Sequence, residues 1–307
     1  MNMYGLEIQN LAVDFGKFKM NATVNIRRGC ITGLIGRNGA GKSTLIKTIM
    51  RQQDALSGKI LYDGKPFKGN EVEILNKIAC VFDIPHFNTQ LKPKSLFKLC
   101  KSIYPQFDAE LYEKLMKKFN LPSDVRVNKF SFGMQRKYCL ILALCQKPDI
   151  LLLDEPTSGV DPYDRNNVVE LIQEFMMDES HTVLFSTHIT EDLDRIADYI
   201  VIMQDGVITL DEEKESICEN YRLIQCAELT DELKKEAVGI QKSMFGYTVL
   251  TKNKQISGEG LQVKVPTVEE LFVHTLGNEV SDSANGRYMN GSFGANFGAD
   301  SDDPFNL

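Results

Sequence analysis

The chain has 307 residues, of which 43% are hydrophobic and 25% charged, and its formal net charge is -7. At about 150 residues per domain this length predicts two domains with a sizeable core, and no apolar run reaches the roughly 18 residues that a membrane helix needs. The acidic balance disfavours a nucleic acid partner. Seven cysteines without a CxxC pair, and a start without a secretory signal pattern, predict reduced thiols in a cytosolic protein.

Short apolar runs alternate with amphipathic stretches over residues 1–215, as in α/β proteins. In chain order the pattern predicts strands at 4–15 and 30–35, a helix at 42–50, a strand at 78–82, helices at 109–119 and 135–145, a strand at 150–153, a helix at 164–177, a strand at 182–186, a helix at 190–195 and a strand at 199–204. Residues 88–147 are expected to be mainly helical. We therefore predict one α/β domain over residues 1–215 with a helical insertion.

The pattern changes after residue 215. A short helix is predicted at 230–235 and strands at 247–251 and 261–265, and Thr267 followed by Glu270 has the spacing of a capping box. Residues 216–280 are therefore expected to form a small accessory segment. Residues 281–307 consist mostly of Gly, Asn, Asp and Ser without apolar periodicity, which predicts a disordered tail.

A glycine-rich motif stands between the strand predicted at 30–35 and the helix predicted at 42–50, and it fits the phosphate-loop pattern G-x-x-x-x-G-K-[ST]. Glycines let successive backbone N–H groups point at an anion, and the helix N-terminus adds positive potential. Lys42 would meet the β- and γ-phosphates, and the hydroxyl of Ser43 would bind Mg²⁺. A chance glycine-rich turn is the weaker alternative because both flanking elements fit. The predicted nucleotide ligands are Gly36, Arg37, Asn38, Gly39, Ala40, Gly41, Lys42, Ser43 and Thr44.

A second part of the site is predicted at the end of the apolar run 150–153, which is followed by Asp154 and Glu155. Ligands lie at the carboxyl ends of buried parallel strands. Asp154 would hold Mg²⁺ through water, and Glu155 would position or deprotonate an attacking water. Taken alone, a strand ending at a solvated acidic turn is the commoner case, but the Lys42 loop favours the catalytic interpretation.

Three further motifs follow in order, and with them the sequence resembles the ATP-binding subunits of ABC transporters. Residues 130–137 are similar to the family's signature sequence, residues 158–161 to its D-loop, and residues 186–188 to its switch-histidine segment. Phe15 stands where the family places an aromatic ring that stacks on adenine. The resemblance covers about residues 4–215. It implies a P-loop NTPase fold with a RecA-like core, an N-terminal antiparallel β subdomain and an inserted helical subdomain at about 88–147.

The resemblance also implies a composite site between two ATPase subunits that face each other head to tail. The second subunit would be another copy of this chain or a paralogue. ATP at Lys42 of one subunit would be covered by Ser131, Gly133 and Met134 of the other.

Roles for other residues follow from the same resemblance. Glu155 would be the general base, His188 would bond the γ-phosphate, and Ser158 and Asp161 would make dimer contacts. ATP hydrolysis would power a separate membrane-spanning permease, which places the chain on the inner face of the cell membrane. The helix predicted at 107–119, before the signature, resembles the shorter helical subdomain of the exporter-type branch.

Two positions depart from the family pattern. Asp83 follows the strand at 78–82, where the family has a glutamine that touches Mg²⁺ and moves with the permease. A carboxylate there can still hold Mg²⁺ or its water, so Asp83 is a third candidate metal ligand. Phe132 occupies a signature position where a small or basic residue is commoner, although Ser131 and Gly133 are kept.

Three alternatives remain at this point. One is a soluble member of the same family that acts in translation or DNA repair, although such proteins usually carry two ATPase domains or a long coiled-coil insertion. Another is a regulatory module in which Asp83 and Phe132 slow hydrolysis, so that the protein acts as an ATP-dependent clamp. A P-loop kinase or GTPase is disfavoured because no Asn-Lys-x-Asp string is present and the signature would have no explanation.

Overall fold

The computed structural model describes residues 3–276 apart from 245, 255 and 257–259, so the predicted tail at 281–307 lies outside the described residues. Residues 4–213 contain the strands of a ten-stranded sheet. Its strands are β1 (Tyr4–Asp14), β2 (Lys19–Arg27), β3 (Ile31–Ile35), β4 (Ser57–Tyr62), β5 (Lys65–Pro66), β6 (Ile78–Val81), β7 (Ile150–Asp154), β8 (Thr182–Thr187), β9 (Tyr199–Gln204) and β10 (Val207–Glu213).

The helices that cover this sheet are α1 (Lys42–Ile49), α2 (Glu71–Leu75), α3 (Pro93–Ile103), α4 (Ala109–Lys118), α5 (Phe132–Leu144), α6 (Pro162–Phe175) and α7 (Thr190–Ile196), with a 3-10 turn at Val127–Lys129. The strand order is β5-β4-β1-β2-β10-β9-β3-β8-β7-β6. Strands β9, β3, β8, β7 and β6 are parallel, whereas β1, β2, β4 and β5 pair antiparallel. This confirms the predicted fold class, a parallel core with an antiparallel N-terminal part.

The sequence reasoning missed three long strands of the sheet, β2, β4 and β10. In β2, buried and exposed side chains alternate, because only one face of the strand packs on the core. The strands that were predicted as apolar runs, such as β3, β7 and β8, are buried at every residue. Searching for continuous apolar runs therefore found the parallel core and overlooked half-buried strands around it.

The helical region at 88–147 contains α3, α4, the 3-10 turn and α5, as predicted. Two helices begin earlier than expected because side chains cap them. The hydroxyl of Ser131 accepts a hydrogen bond from the N–H of Met134, so α5 starts at Phe132 rather than at 135. The carboxylate of Asp161 accepts from two N–H groups of the first turn of α6, which starts at Pro162.

The chain beyond residue 213 adds α8 (Lys214–Asn220), β11 (Arg222–Cys226), α9 (Asp231–Glu236), β12 (Ala237–Ser243), β13 (Gly246–Thr251), β14 (Gln262–Lys264) and α10 (Val268–Leu276). The four strands form an antiparallel sheet in the order β12-β13-β11-β14. The predicted capping box is confirmed, since Thr267 and Glu270 each accept a hydrogen bond from the other's backbone N–H. Strands β11 and β12 were not predicted.

Candidate nucleotide site

The phosphate-loop motif forms the connection between β3 and α1. Gly41 has a φ of +112°, a conformation that glycine adopts without a steric penalty, and α1 begins at the next residue. The side chain of Lys42 is buried, and its Nζ donates to the carbonyls of Gly36 at 2.7 Å and Arg37 at 3.4 Å. The loop therefore curls around its own ammonium group, and the first-turn N–H groups of α1 lack intrahelical acceptors. Such an arrangement can bind phosphate oxygens.

Parallel pairing brings the other predicted residues to the same edge of the sheet. Ile35 pairs with Thr187, Asp154 with Ser186, and Val81 with Leu153. The residues that follow these strands therefore emerge side by side at the carboxyl ends, where ligands bind in parallel sheets. Of the residues predicted from sequence, the structure places Lys42, Asp154, Glu155, His188 and Asp83 in this region.

Asp154 lies at the end of β7 and is fully buried. Its Oδ1 accepts a hydrogen bond from Ser186 at 3.1 Å, while its buried Oδ2 has no hydrogen-bond partner among the described residues. Burial and the nearby carboxylates of Asp83 and Glu155 raise the pKa of Asp154, which the hydroxyls of Ser43 and Ser186 partly offset. A buried acceptor without a partner, close to a hydroxyl and a second carboxylate, fits the oxygen ligands that Mg²⁺ prefers.

Glu155 lies between the phosphate loop and the switch histidine. Its Oε1 is 3.4 Å from Nζ of Lys42, and its Oε2 is 2.7 Å from Nδ1 of His188. The backbone of Glu155 has a φ of +51°, which is uncommon for a residue other than glycine and costs conformational energy. The strained backbone places this carboxylate against Lys42 and His188. These are the two side chains that the sequence analysis assigned to the γ-phosphate.

The signature residues lie elsewhere, at the start of α5. No hydrogen bond or ion pair among the described residues joins Ser131, Gly133 or Met134 to the phosphate loop of the same chain. Gly133 is packed tightly, because a Cβ there would lie 2.1 Å from Oδ2 of Asp164. Asp164 in turn pairs with Lys137 at 2.6 Å, which fixes the start of α5 against α6.

Three other predicted residues make contacts that are visible in a single chain. Phe15 is half exposed, and its ring stacks on Phe18 with 6.4 Å between centroids. Phe18 approaches Gly41 of the phosphate loop, so the pair stands beside the predicted nucleotide position. In the D-loop, Asp161 is occupied as the cap of α6, while the N–H of Ser158 is 3.3 Å from the carbonyl of Glu155.

Sequence reasoning missed a buried network behind the site. The carboxylate of Asp192 in α7 accepts from the hydroxyl of Thr157 and from Nε of Arg165 in α6, each at 2.7 Å. Asp192 is fully buried, and Arg165 also pairs at the surface with Glu191. The sequence offered only a weak indication of this network, since Arg165 stands four residues after Asp161 and Asp192 four residues after His188. Their pairing depends on the fold.

The sequence is similar to those of known proteins. A sequence profile described as ABC transporter matches residues 20–158. The chain is 30% identical over 289 residues to the ABC transporter ATP-binding protein YtrB of Bacillus subtilis (strain 168), covering 89% of this chain and 99% of YtrB. It is 32% identical over 212 residues to the lantibiotic transport ATP-binding protein SrtF of Streptococcus pyogenes, covering 68% of this chain and 90% of SrtF.

The fold is similar to that of solved structures. An ATP-binding subunit of an ABC transporter has a TM-score of 0.63 and 26% sequence identity to this chain, with 70% of this chain and 92% of the other covered. As far as residues 3–276 are described, none of the helices has the length and apolar character needed to cross a bilayer. The chain belongs to the ABC transporter family, as an ATP-binding subunit that hydrolyses ATP to power a separate membrane permease.

Proposed function

We propose that hydrolysis takes place at the carboxylate of Glu155, which acts as general base toward a water in line with the γ-phosphate. The observation that carries this proposal is the position of the carboxylate, 3.4 Å from Lys42 Nζ and 2.7 Å from His188 Nδ1. With a triphosphate bound, Lys42 turns to the phosphate oxygens, and His188 steadies both the γ-phosphate and the water. Positioning and charge neutralisation supply most of the acceleration.

We propose that Mg²⁺ is held by Ser43 and Asp154, with Asp83 as a third ligand directly or through water. Support comes from the Oδ2 of Asp154, which is buried and has no hydrogen-bond partner among the described residues. The carboxylate of Asp83 is close enough to contribute to the raised pKa of Asp154. When bound, Mg²⁺ would neutralise charge on the phosphate oxygens.

The complete site, in this proposal, forms between two ATPase subunits. Ser131, Gly133 and Met134 at the N-terminus of α5 cover the γ-phosphate at Lys42 of the facing subunit, since a helix N-terminus and a hydroxyl favour an anion. Ser158 and Asp161 line the contact, and Phe15 stacks on adenine. The facing subunit is a second copy or a paralogue.

We propose that the permease docks in the apolar groove between α3 and the end of β6. The groove is lined by Leu99 and Ile103 of α3, both exposed, and by Phe82, which immediately precedes Asp83. The groove has a volume of about 330 Å³. A partner seated there would contact both the helical insertion and the segment of Asp83. The subunit then works at the cytoplasmic face of the membrane, and the short helical insertion supports export as the direction.

The variant Glu155→Gln tests this proposal. It keeps the shape of the side chain and removes the base, so we expect turnover to fall by at least a hundredfold while ATP affinity is retained. With ATP and Mg²⁺ this variant should then be trapped as a dimer, either of two copies of this chain or of this chain with a paralogue. Size-exclusion chromatography with light scattering would detect the dimer.

Lys42→Ala is the matched comparison, because loss of the ammonium group should weaken ATP binding itself. Near-normal turnover in Glu155→Gln would refute the role of this carboxylate and favour an ATP-dependent clamp. Unchanged ATP affinity in Lys42→Ala would refute the phosphate loop.

A further inference from the structure

The helical insertion at 88–147 has a charge opposite to that of the whole chain. It contains twelve lysines and arginines but four aspartates and glutamates, a net charge of +8, whereas the whole chain has a net charge of -7. The rest of the chain therefore carries a net charge of -15. An asymmetry of this size indicates a face that meets an anionic partner, and neither the nucleotide site nor the permease groove accounts for it.

Much of the excess charge lies on the exposed sides of α3 and α4. Lys94, Lys98 and Lys101 are four and three residues apart, so they form an exposed stripe along one side of α3. Lys117 of α4 is exposed as well. Lys94 pairs with Asp124, whereas the other three lysines form no ion pair among the described residues. Three of the four cations are therefore available to a partner.

The lysines of α3 and α4 border an apolar groove between the two helices. The groove has a volume of about 530 Å³, and its lining includes the apolar side chains of Phe97 and Met116. Lys98 and Lys117 line the same groove, together with the carboxylate of Glu113. Cations beside apolar side chains match the surface of a bilayer, which presents anionic headgroups in front of acyl chains.

The place of this face in the molecule also favours a membrane as the partner. On another side of α3, Leu99 and Ile103 line the groove in which we propose that the permease docks. A permease seated there would bring α3 toward the membrane, with the lysine stripe beside it. This step rests on the proposed function, whereas the charge of the helical insertion does not depend on it.

We propose that the lysine face, formed by Lys94, Lys98, Lys101 and Lys117, binds the anionic lipid headgroups of the cytoplasmic leaflet next to the permease. Each lysine near such a surface strengthens binding about fivefold, so a few of them give a measurable affinity. The contacts are exposed to solvent, and salt therefore weakens them. This face would hold the subunit at the membrane independently of its permease groove.

Binding of the full chain to lipid vesicles, without permease or nucleotide, tests the proposal. The probes are vesicles of phosphatidylcholine alone and vesicles in which about a third of the lipid is phosphatidylglycerol. We expect the chain to sediment at least tenfold more strongly with the anionic vesicles than with the neutral ones. High salt should remove most of this difference.

A triple variant locates the binding face. The changes Lys98→Gln, Lys101→Gln and Lys117→Gln remove the three lysines without an ion pair, and binding to the anionic vesicles should fall at least tenfold. Arginine at the same three positions keeps the charge and should bind within about threefold of the wild type. Circular dichroism and Tm, measured without lipid, show whether each variant is folded.

The matched control changes the net charge by the same amount in another part of the chain. Lys59→Gln, Lys65→Gln and Lys68→Gln alter exposed lysines in and after β4 and β5 that form no ion pair among the described residues. This second triple variant should bind the anionic vesicles within about threefold of the wild type.

Equal binding of the wild type to neutral and anionic vesicles would overturn the proposal, as would equal losses in the two triple variants. If light scattering instead shows self-association that only the first triple variant loses, and no vesicle binding occurs, the lysine face meets the acidic part of a second copy and the proposal is wrong. The vesicle assay uses neither ATP nor permease, so loss of hydrolysis or of permease docking would defeat the proposed function alone.

Discussion

The position of the Glu155 carboxylate is set by its contacts with two side chains, Lys42 and His188. The carboxylate of Glu155 bridges Lys42 and His188, and the positive φ at Glu155 is the cost of that placement. Because His188 contacts this carboxylate directly, it can orient the base that we propose, in addition to its proposed contact with the γ-phosphate. Its contribution is therefore expected in the chemical step more than in ATP binding.

His188→Ala is predicted to lower kcat by about a hundredfold with a much smaller change in KM, because it removes the group that orients Glu155. The measurement is steady-state ATP hydrolysis over a range of ATP concentrations. His181→Ala is the matched control: that ring stacks on Phe175 and bonds its carbonyl, away from the site, and kcat should stay unchanged. Equal losses in the two variants would contradict an orienting role for His188.

The network of Thr157, Asp192 and Arg165 connects three elements that carry the site. Thr157 belongs to the loop after Glu155, Arg165 to α6 behind the D-loop, and Asp192 to α7, which follows His188. With both of its carboxylate oxygens bonded, Asp192 links the loop that follows Glu155 to helix α7, which follows His188. A buried carboxylate of this kind contributes geometry more than net stability.

Asp192→Asn is expected to lower kcat at least tenfold and to destabilise the fold by about 3 kcal/mol, because Arg165 loses its buried counter-charge. Glu191→Gln is the neighbouring control, since that exposed carboxylate pairs with the same arginine at the surface and should change stability by less than about 1 kcal/mol. ATPase kinetics and chemical denaturation give both numbers. A destabilised Asp192→Asn variant with normal kcat per folded molecule would leave Asp192 a purely structural residue.

The contrast between this network and the motif residues shows how far sequence reasoning reaches. The shared location of Lys42, Asp154 and His188 could be predicted from the sequence. Each residue follows a recognisable apolar run, and parallel strands align their carboxyl ends. Asp192 and Arg165 could not, because their pairing requires the packing of α6 against α7. Likewise, β2 was missed because alternation in a half-buried strand is a weaker signal than a continuous apolar run.

In the part of the chain that the structure describes, the segment after residue 215 packs on the ATPase domain. Leu271 of α10 belongs to the same apolar cluster as Leu193 and Ile196 of α7, and the N–H of Val268 donates to Asp194 at the end of α7. The C-terminal part therefore packs on the helix that follows His188. The packing of α10 against α7 therefore supports the helix that follows His188.

Leu271→Ala is predicted to destabilise the whole protein by about 2–5 kcal/mol, since the leucine is 0% exposed and its removal leaves a cavity in the shared core. Because the core is shared, unfolding in denaturant should remain a single transition when circular dichroism and tyrosine fluorescence are compared. Val263→Ala in β14, where the side chain is 44% exposed, is the control and should cost less than about 1 kcal/mol. Two separate transitions, with the ATPase part unaffected by Leu271→Ala, would show instead that residues after 215 fold independently and that α10 does not support α7.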